Sequence, residues 1–336
     1  MKKERFAAIL LIAVLLFATS VSAFAGYDVN EYEDDIYYAN IVARITLKSM
    51  GKSEEISSPI VLENLRGNAE AVLFDIVSGG YIIVNINDLS VPEISFEGEN
   101  PYIGYENPVY NGPLSYYWRD ENNVYYSVRN CDIIDIVNIE VYEKQPLEDK
   151  EEYVAKLQKE NKKRSKSGVV TKYLSSMPQN WSYNTTGFCG ALASAICMRY
   201  YYDNVSTRYV DVLLLGEVDL TELMRGYVGR GGTTKRELAR GLNDYFNFMG
   251  VDNVANYNGN TFSFNTVVNS INRDRPAIVG IHRDPYGDHW IVAWGYYYKT
   301  NNTNSQYVIV IDGWGNDQVF ISVSENCLRE VVYFSK

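Results

Sequence analysis

Histidine is nearly missing from this chain: 2 of its 336 residues, His282 and His289. Any reaction that relies on an imidazole base therefore has two candidates. Cysteine is almost as scarce, with Cys131, Cys189, Cys197 and Cys327 widely scattered. No CxxC or HExxH occurs, so the sequence offers nothing from which to assemble a zinc site. Four irregularly placed cysteines do not make a disulfide framework either, although they leave room for one bridge. Long apolar runs are absent after residue 18. Positive charge is in deficit, 31 Lys+Arg against 42 Asp+Glu, for a net charge of −11. That balance disfavours bulk attraction to nucleic acid or to an anionic membrane. What remains is ordinary globular material, 46% hydrophobic and 22% charged, with an unusual surplus of 29 tyrosines. The length suggests about two domains.

The first segment has its own logic. Lys2, Lys3 and Arg5 precede an apolar run from Phe6 to Ala18, followed by Val21-Ser22-Ala23-Phe24-Ala25. A basic start, a short apolar stretch and an A-x-A site are the marks of a secretory signal peptide. The run falls short of the ~20 residues that a membrane span requires. Cleavage is expected after Ala25, with Ala23 the second choice. The expected product is secreted and extracellular, free of the membrane once residues 1–25 are removed.

Charge divides the rest. Residues 26–150 hold 8 Lys+Arg and 23 Asp+Glu, a net −15, whereas residues 151–336 hold 20 and 18, a net +2. Such asymmetry suggests two domains that attract each other, or an acidic surface with a role of its own. Between them, Glu148 to Gly168 begins as a charged helix-like segment and ends in Lys162-Lys163-Arg164-Ser165-Lys166. With little to bury, it reads as an exposed linker and a protease target. The expected organisation is a signal peptide over 1–25, an acidic α+β domain over 26–147, a charged linker over 148–168 and a second domain over 169–336. In the acidic domain the apolar spacing from Ile36 to Met50 predicts a helix. Ala71–Val77, Gly80–Ile86, Val124–Val128 and Ile133–Val141 predict strands, with a hairpin turn at Gly79-Gly80. This half contains no histidine, no nucleophile–base pair and no phosphate loop.

The chemistry lies in the second half. A polar, turn-like entry from Asn184 runs into the Ala-rich stretch Cys189-Gly190-Ala191-Leu192-Ala193-Ser194-Ala195. Cys189 is expected in the first turn of a helix, where the macrodipole and free N–H groups favour a thiolate. Cys197, deep in the same helix, reads as core, and Cys131 and Cys327 as structural. A thiolate nucleophile needs a base and an orienting group. His289 lies in a strand-like run, DHWIVAWGY; His282 follows another and reads as a turn residue. The strand holding His289 is expected to end near Tyr298, and a polar loop over 299–306 then leads to the strand Tyr307–Ile311. Antiparallel pairing of these two strands returns Asp312 to the neighbourhood of His289. There its carboxylate is expected to accept the imidazole Nδ1–H. Asp288 and Asp317 are weaker rivals. Trp314 is placed to shield the His–Asp bond from water.

In order and type these residues resemble the papain-like cysteine peptidases: Cys189 opening a helix, His289 on a strand, then Asp312-Gly313-Trp314 where the next strand ends. More particularly, CGALASAICMRYYY, DHWIVAWGY and IDGWGN look like the secreted streptopain-like and bacteriocin-processing-peptidase-like groups. The stretch from Ala71 to Asn85, with Pro92-Glu93-Ile94 and Gly104-Tyr105, resembles the streptopain-type prodomain.

The resemblance implies an α+β architecture, in which a small prodomain precedes a papain-like domain whose Cys-bearing helix packs on an antiparallel sheet carrying His and Asp. It implies a cysteine endopeptidase made as a zymogen, with the prodomain as intramolecular inhibitor, a peptide or protein as substrate, and no cofactor or metal. The pattern departs from the family in two places. Where the family has a Gln that helps hold the oxyanion, Tyr183 stands here, so Asn184, or less favourably Gln179, is the candidate donor beside the Cys189 N–H. Asp312 stands where Asn is more usual. Two other functions fit the same residues: a thiol acyl transferase or amidase, and a degenerate binding protein on the peptidase fold.

Overall fold

The computed structural model describes residues 32–163, 168–184, 187–229, 233–259, 261–284, 287–300, 302–316 and 318–335. The signal-peptide expectation for 1–25, the Arg164–Lys166 part of the basic run and Asp317 lie outside the described residues.

The first half opens with helix α1 (Glu33–Ser49). Its Ile36, Ala39, Val42, Ala43 and Leu47 recur at helical spacing and are buried, and Glu33, Asp34 and Asp35 in the first turn with Lys48 in the last suit the helix dipole. Strands follow: β1 (Ile60–Glu63), β2 (Ala69–Asp75), β3 (Tyr81–Asn85), β4 (Glu93–Ser95), β5 (Pro108–Tyr110), β6 (Tyr116–Arg119), β7 (Tyr125–Ser127) and β8 (Ile133–Ile134). The β2–β3 hairpin turns at Gly79-Gly80, as the sequence suggests; both have positive φ, and a Cβ on Gly80 would fall 2.1 Å from the Ser95 carbonyl oxygen. The strand expected over Ile133–Val141 stops at Ile134, because the Asp135 carboxylate accepts the Val137 N–H at 3.1 Å and caps a short 3₁₀ turn.

The segment read as an exposed linker contains helix α2 (Lys150–Lys163), which packs on α1. Val154 is buried, Tyr153 and Leu157 are half-buried, and Lys150 pairs with Asp35. Three apolar residues on one stripe suffice to dock a helix whose composition is otherwise charged.

The second half begins with β9 (Val169–Tyr173) and continues through α3 (Cys189–Asn204), α4 (Glu217–Val228), α5 (Lys235–Met249), β10 (Val254–Tyr257), α6 (Phe264–Asn272), β11 (Ala277–Asp284), β12 (Gly287–Lys299), β13 (Asn302–Ile311), β14 (Val319–Ser322) and β15 (Leu328–Ser335). Helix α3 is buried continuously from Gly190 to Met198, and its small residues let β12 and α4 approach closely. Residues 302–306, expected as loop, extend β13, which folds back tightly on β12 with Lys299 opposite Asn302. His282 lies within β11, opposite Asp288, rather than in a turn; the side chains of both are outside the described residues.

All these strands join one open sheet in the order β10-β15-β11-β12-β13-β14-β4-β3-β2-β1-β5-β6-β7-β8, with β9 on the far part of β12 beyond β11. Pairing is antiparallel except between β1 and β5. This is an α+β fold with a large, non-barrel sheet, consistent with the papain-like superfamily in general. The two halves meet where Ile94 of β4 pairs with Phe320 of β14. Nearby, the Glu325 side chain is fully buried, held by Lys144 Nζ at 2.8 Å and by the Tyr142 hydroxyl at 2.6 Å. No described helix is long and apolar enough to cross a membrane.

Lys144→Met would leave the buried Glu325 carboxylate without its cation. The expected loss is about 3–5 kcal/mol of unfolding free energy, measured by denaturant unfolding. An unchanged midpoint would contradict a cross-half ion pair that matters to the fold.

Candidate active site

Cys189 is the first residue of α3 and is half-buried. The next residue abuts the strand that carries His289: a Cβ on Gly190 would lie 3.4 Å from Trp290 Cδ1 and 3.5 Å from Thr233. One turn along α3, Leu192 Cδ2 comes within 3.3 Å of the corresponding position on Gly313, and Asn184 Nδ2 within 3.6 Å. The start of α3, the Asn184 segment, β12 and the turn after β13 therefore converge. Thr233 fixes the neighbourhood further, its carbonyl accepting the Trp290 indole N–H at 2.8 Å.

His289 is only 5% exposed. Antiparallel pairing places Val292 opposite Ile311, and this register brings the turn at Asp312 alongside His289. The contact differs from the expected one. His289 Nε2 lies 2.9 Å from the main-chain oxygen of Asp312. A carbonyl only accepts, so Nε2 carries the proton in this bond and Nδ1 is the basic nitrogen. The Asp312 carboxylate turns instead into its own loop, accepting the Trp314 N–H at 2.8 Å, the Asn316 N–H at 3.1 Å and Asn316 Nδ2–H at 2.8 Å. Gly313 and Gly315, both at positive φ, let the chain curl tightly enough for these amides to reach one carboxylate.

Trp314 lies against the imidazole, with ring centroids 3.8 Å apart and planes tilted by 34°. Against the same indole lies the guanidinium of Arg129, a first-half residue, 3.3 Å from the ring centroid. Two groups this close to one centroid cannot share a face, so Trp314 is sandwiched. Arg129 is also 5.3 Å from the centre of the Tyr116 ring. Its charge favours the ionised form of two buried carboxylates, Asp312 of the second half and Glu93 of the first. Glu93 in turn is held by the Tyr116 and Tyr81 hydroxyls and the Leu114 N–H.

Burial dominates the electrostatics. It pushes His289 well below the ordinary imidazole range; Arg129 lowers it further, and only the bond to the Asp312 carbonyl opposes them. Burial also raises Asp312, more than Arg129, Asn316 and the Trp314 and Asn316 amides lower it. Cys197 is fully buried and its thiol is pushed far up, which makes it inert.

Among the amides, Asn184 lies at the convergence and Gln179 is exposed. Tyr183 is half-buried with its ring against Phe188. Sequence reasoning missed three participants. Asn180 ties the entry segment to the turn, donating from Nδ2 to the Gly315 carbonyl at 2.7 Å. Asn316 was discoverable, since D-G-W-G-N is a turn sequence in which an Asp collects following amides. Arg129 carried no signal, because only the fold brings it to Trp314. A cavity of about 800 Å³ between α1, α2 and β13 is lined by none of these candidates. Among the described residues no group of three or more His, Cys, Asp or Glu is arranged to hold a metal.

Residues 171–326 match the model of the Peptidase_C39 like family. The match contains Cys189, His289 and the Asp312–Trp314 turn and leaves the first half outside. No curated protein matches the chain.

Because the folded pKa of His289 lies below the unfolded value of about 6.5, the unfolded chain binds more protons. The stability tied to neutral His289 is therefore present above that value and is lost as pH falls below it toward the folded pKa. Unfolding free energy is expected to drop more between about pH 7.5 and about pH 5.5 in the wild type than in His289→Gln. Equal drops in the two proteins would contradict a buried, neutral imidazole.

Proposed function

We propose that the second half is a thiol hydrolase of the cysteine-peptidase type and that the intact chain is its non-catalytic form. The observation that carries the reading is the His289 Nε2–H donated to the Asp312 carbonyl, beside the start of a buried helix that opens with Cys189. That bond leaves Nδ1 to take the thiol proton. On this reading Cys189 attacks a peptide carbonyl, and its own N–H and the Asn184 amide hold the oxyanion. His289 protonates the leaving amine, then deprotonates the water that hydrolyses the thioester. Asp312 orients the ring through its main-chain oxygen, and Trp314 keeps water from that bond. Residues 1–25 export the chain, the first half restrains the site as a prodomain, and cutting within Lys162–Lys166 begins activation. No cofactor takes part.

The second reading is a peptidase-fold binding protein, or a thiol acyl transferase or amidase. For the intact chain a specific observation favours the non-catalytic form: the Asp312 carboxylate is engaged by the amides of its own turn, and His289 is kept neutral beneath Trp314 and Arg129. A thiolate–imidazolium pair needs a protonated ring, which this arrangement opposes.

Incubation with a mixed peptide library, before and after cleavage within 162–168 and displacement of the first half, separates these readings. The expected result is cleavage by the cut protein alone, reduced on the order of 10⁴-fold or more by Cys189→Ala. Acylation of Cys189 without peptide release would point to the transferase or amidase. No reaction in either state would leave the binding protein.

A further inference from the structure

Arg129 has the features of a ligand in a seat. Its loop lies at the surface, where the neighbouring Asn130 and Cys131 are exposed, and its guanidinium reaches inward to one face of Trp314. The loop is braced from behind, by the Arg129 N–H donating to Ser127 Oγ and the Cys131 N–H donating to the Ser127 carbonyl. The charge thus arrives on a preformed turn rather than on a regular element of the sheet. The seat has the Trp314 indole face from the second half and the Tyr116 ring from the first, and the Arg129 charge favours the ionised forms of the buried Asp312 and Glu93 carboxylates. Aromatic faces backed by buried anions suit a planar, weakly hydrated cation. The opposite face of the same indole carries His289, so whatever occupies the seat is one ring away from the proposed base.

We propose that the face of Trp314 turned to Arg129, together with the charge of the buried Asp312 carboxylate, is a subsite for a basic side chain of a peptide ligand, and that Arg129 is its resident stand-in. Trp314 and Asp312 belong to the second half and stay with the site when the first half moves; the substrate's own Arg or Lys then takes the place that Arg129 vacates. The seat needs no catalysis, but the cutting of the bound peptide rests on the function proposed above.

The test uses the full chain with Arg129→Ala and Arg129→Gln, both checked for folding by thermal unfolding, and N-acetyl-arginine amide as probe, followed by tryptophan fluorescence. N-acetyl-citrulline amide, of the same shape but uncharged, is the control. The arginine probe is expected to bind the two variants at least tenfold more tightly than the citrulline probe. It is expected to bind at least tenfold more weakly to the wild type, where Arg129 competes, and to lose this selectivity when Trp314→Leu is added. Equal affinity for the two probes, or no binding of the arginine probe to either folded variant, would overturn the proposal. If both variants fail to fold, the wild type decides: weak binding that still prefers arginine over citrulline supports the seat, and no preference overturns it. A library cleaved without enrichment of Arg or Lys near the scissile bond would overturn the substrate role. Selective arginine binding with no cleavage of any peptide would keep the seat and reject the hydrolase.

Discussion

Trp314 has His289 on one face and Arg129 on the other, and the state of the site follows from that stack. A desolvated cation–π contact is worth about 2 kcal/mol, enough to hold a guanidinium where it works against a second positive charge. An imidazolium beneath the indole would face a buried environment and a nearby cation together. The ring is accordingly neutral, and the main-chain oxygen of Asp312 can orient it without a carboxylate having to balance a charge. With the ring uncharged, the Asp312 carboxylate serves its own turn, and that turn in turn positions Trp314.

The sheet makes this contact possible. Arg129 and Trp314 meet because β4 of the first half pairs with β14 of the second, so the halves are registered by backbone hydrogen bonds rather than by a loose surface contact. The Lys144–Glu325–Tyr142 cluster fixes the same junction from within. A chain cut near residue 164 would still hold this pairing, so a cut alone differs physically from displacement of the first half. The acidity of the first half, net −15 over residues 26–150, does not exclude a cation at the contact: at the site itself that half presents Arg129 as well as the buried Glu93.

Much of this was legible in the sequence. The helix opening at Cys189, the strand bearing His289 and the return of the next strand to Asp312 all follow from local patterns: an Ala-rich run, alternation, and antiparallel pairing across a short connection. Trp314 over His289 follows from the same hairpin. The atom by which Asp312 meets His289 did not follow, because side-chain direction depends on Gly313 and Gly315 and on the amides they free, and strand register alone does not report it. The docking of α2 was hidden by composition, since three apolar residues on one stripe are diluted by eleven others in the helix. Arg129 was invisible because its partner lies in the other half of the chain and no local pattern encodes the meeting.

The central claim is that the intact chain holds the candidate site with His289 neutral, and so without a thiolate–imidazolium pair. The most direct measurement is the pH dependence of Cys189 alkylation by chloroacetamide in the intact chain, followed peptide by peptide so that exposed Cys131 is scored separately. The account predicts a slow rate at neutral pH that climbs as the solution becomes alkaline, because a neutral His289 supplies no positive charge to hold a thiolate. A fast rate that is already level in mildly acidic solution would show a preformed ion pair and contradict it.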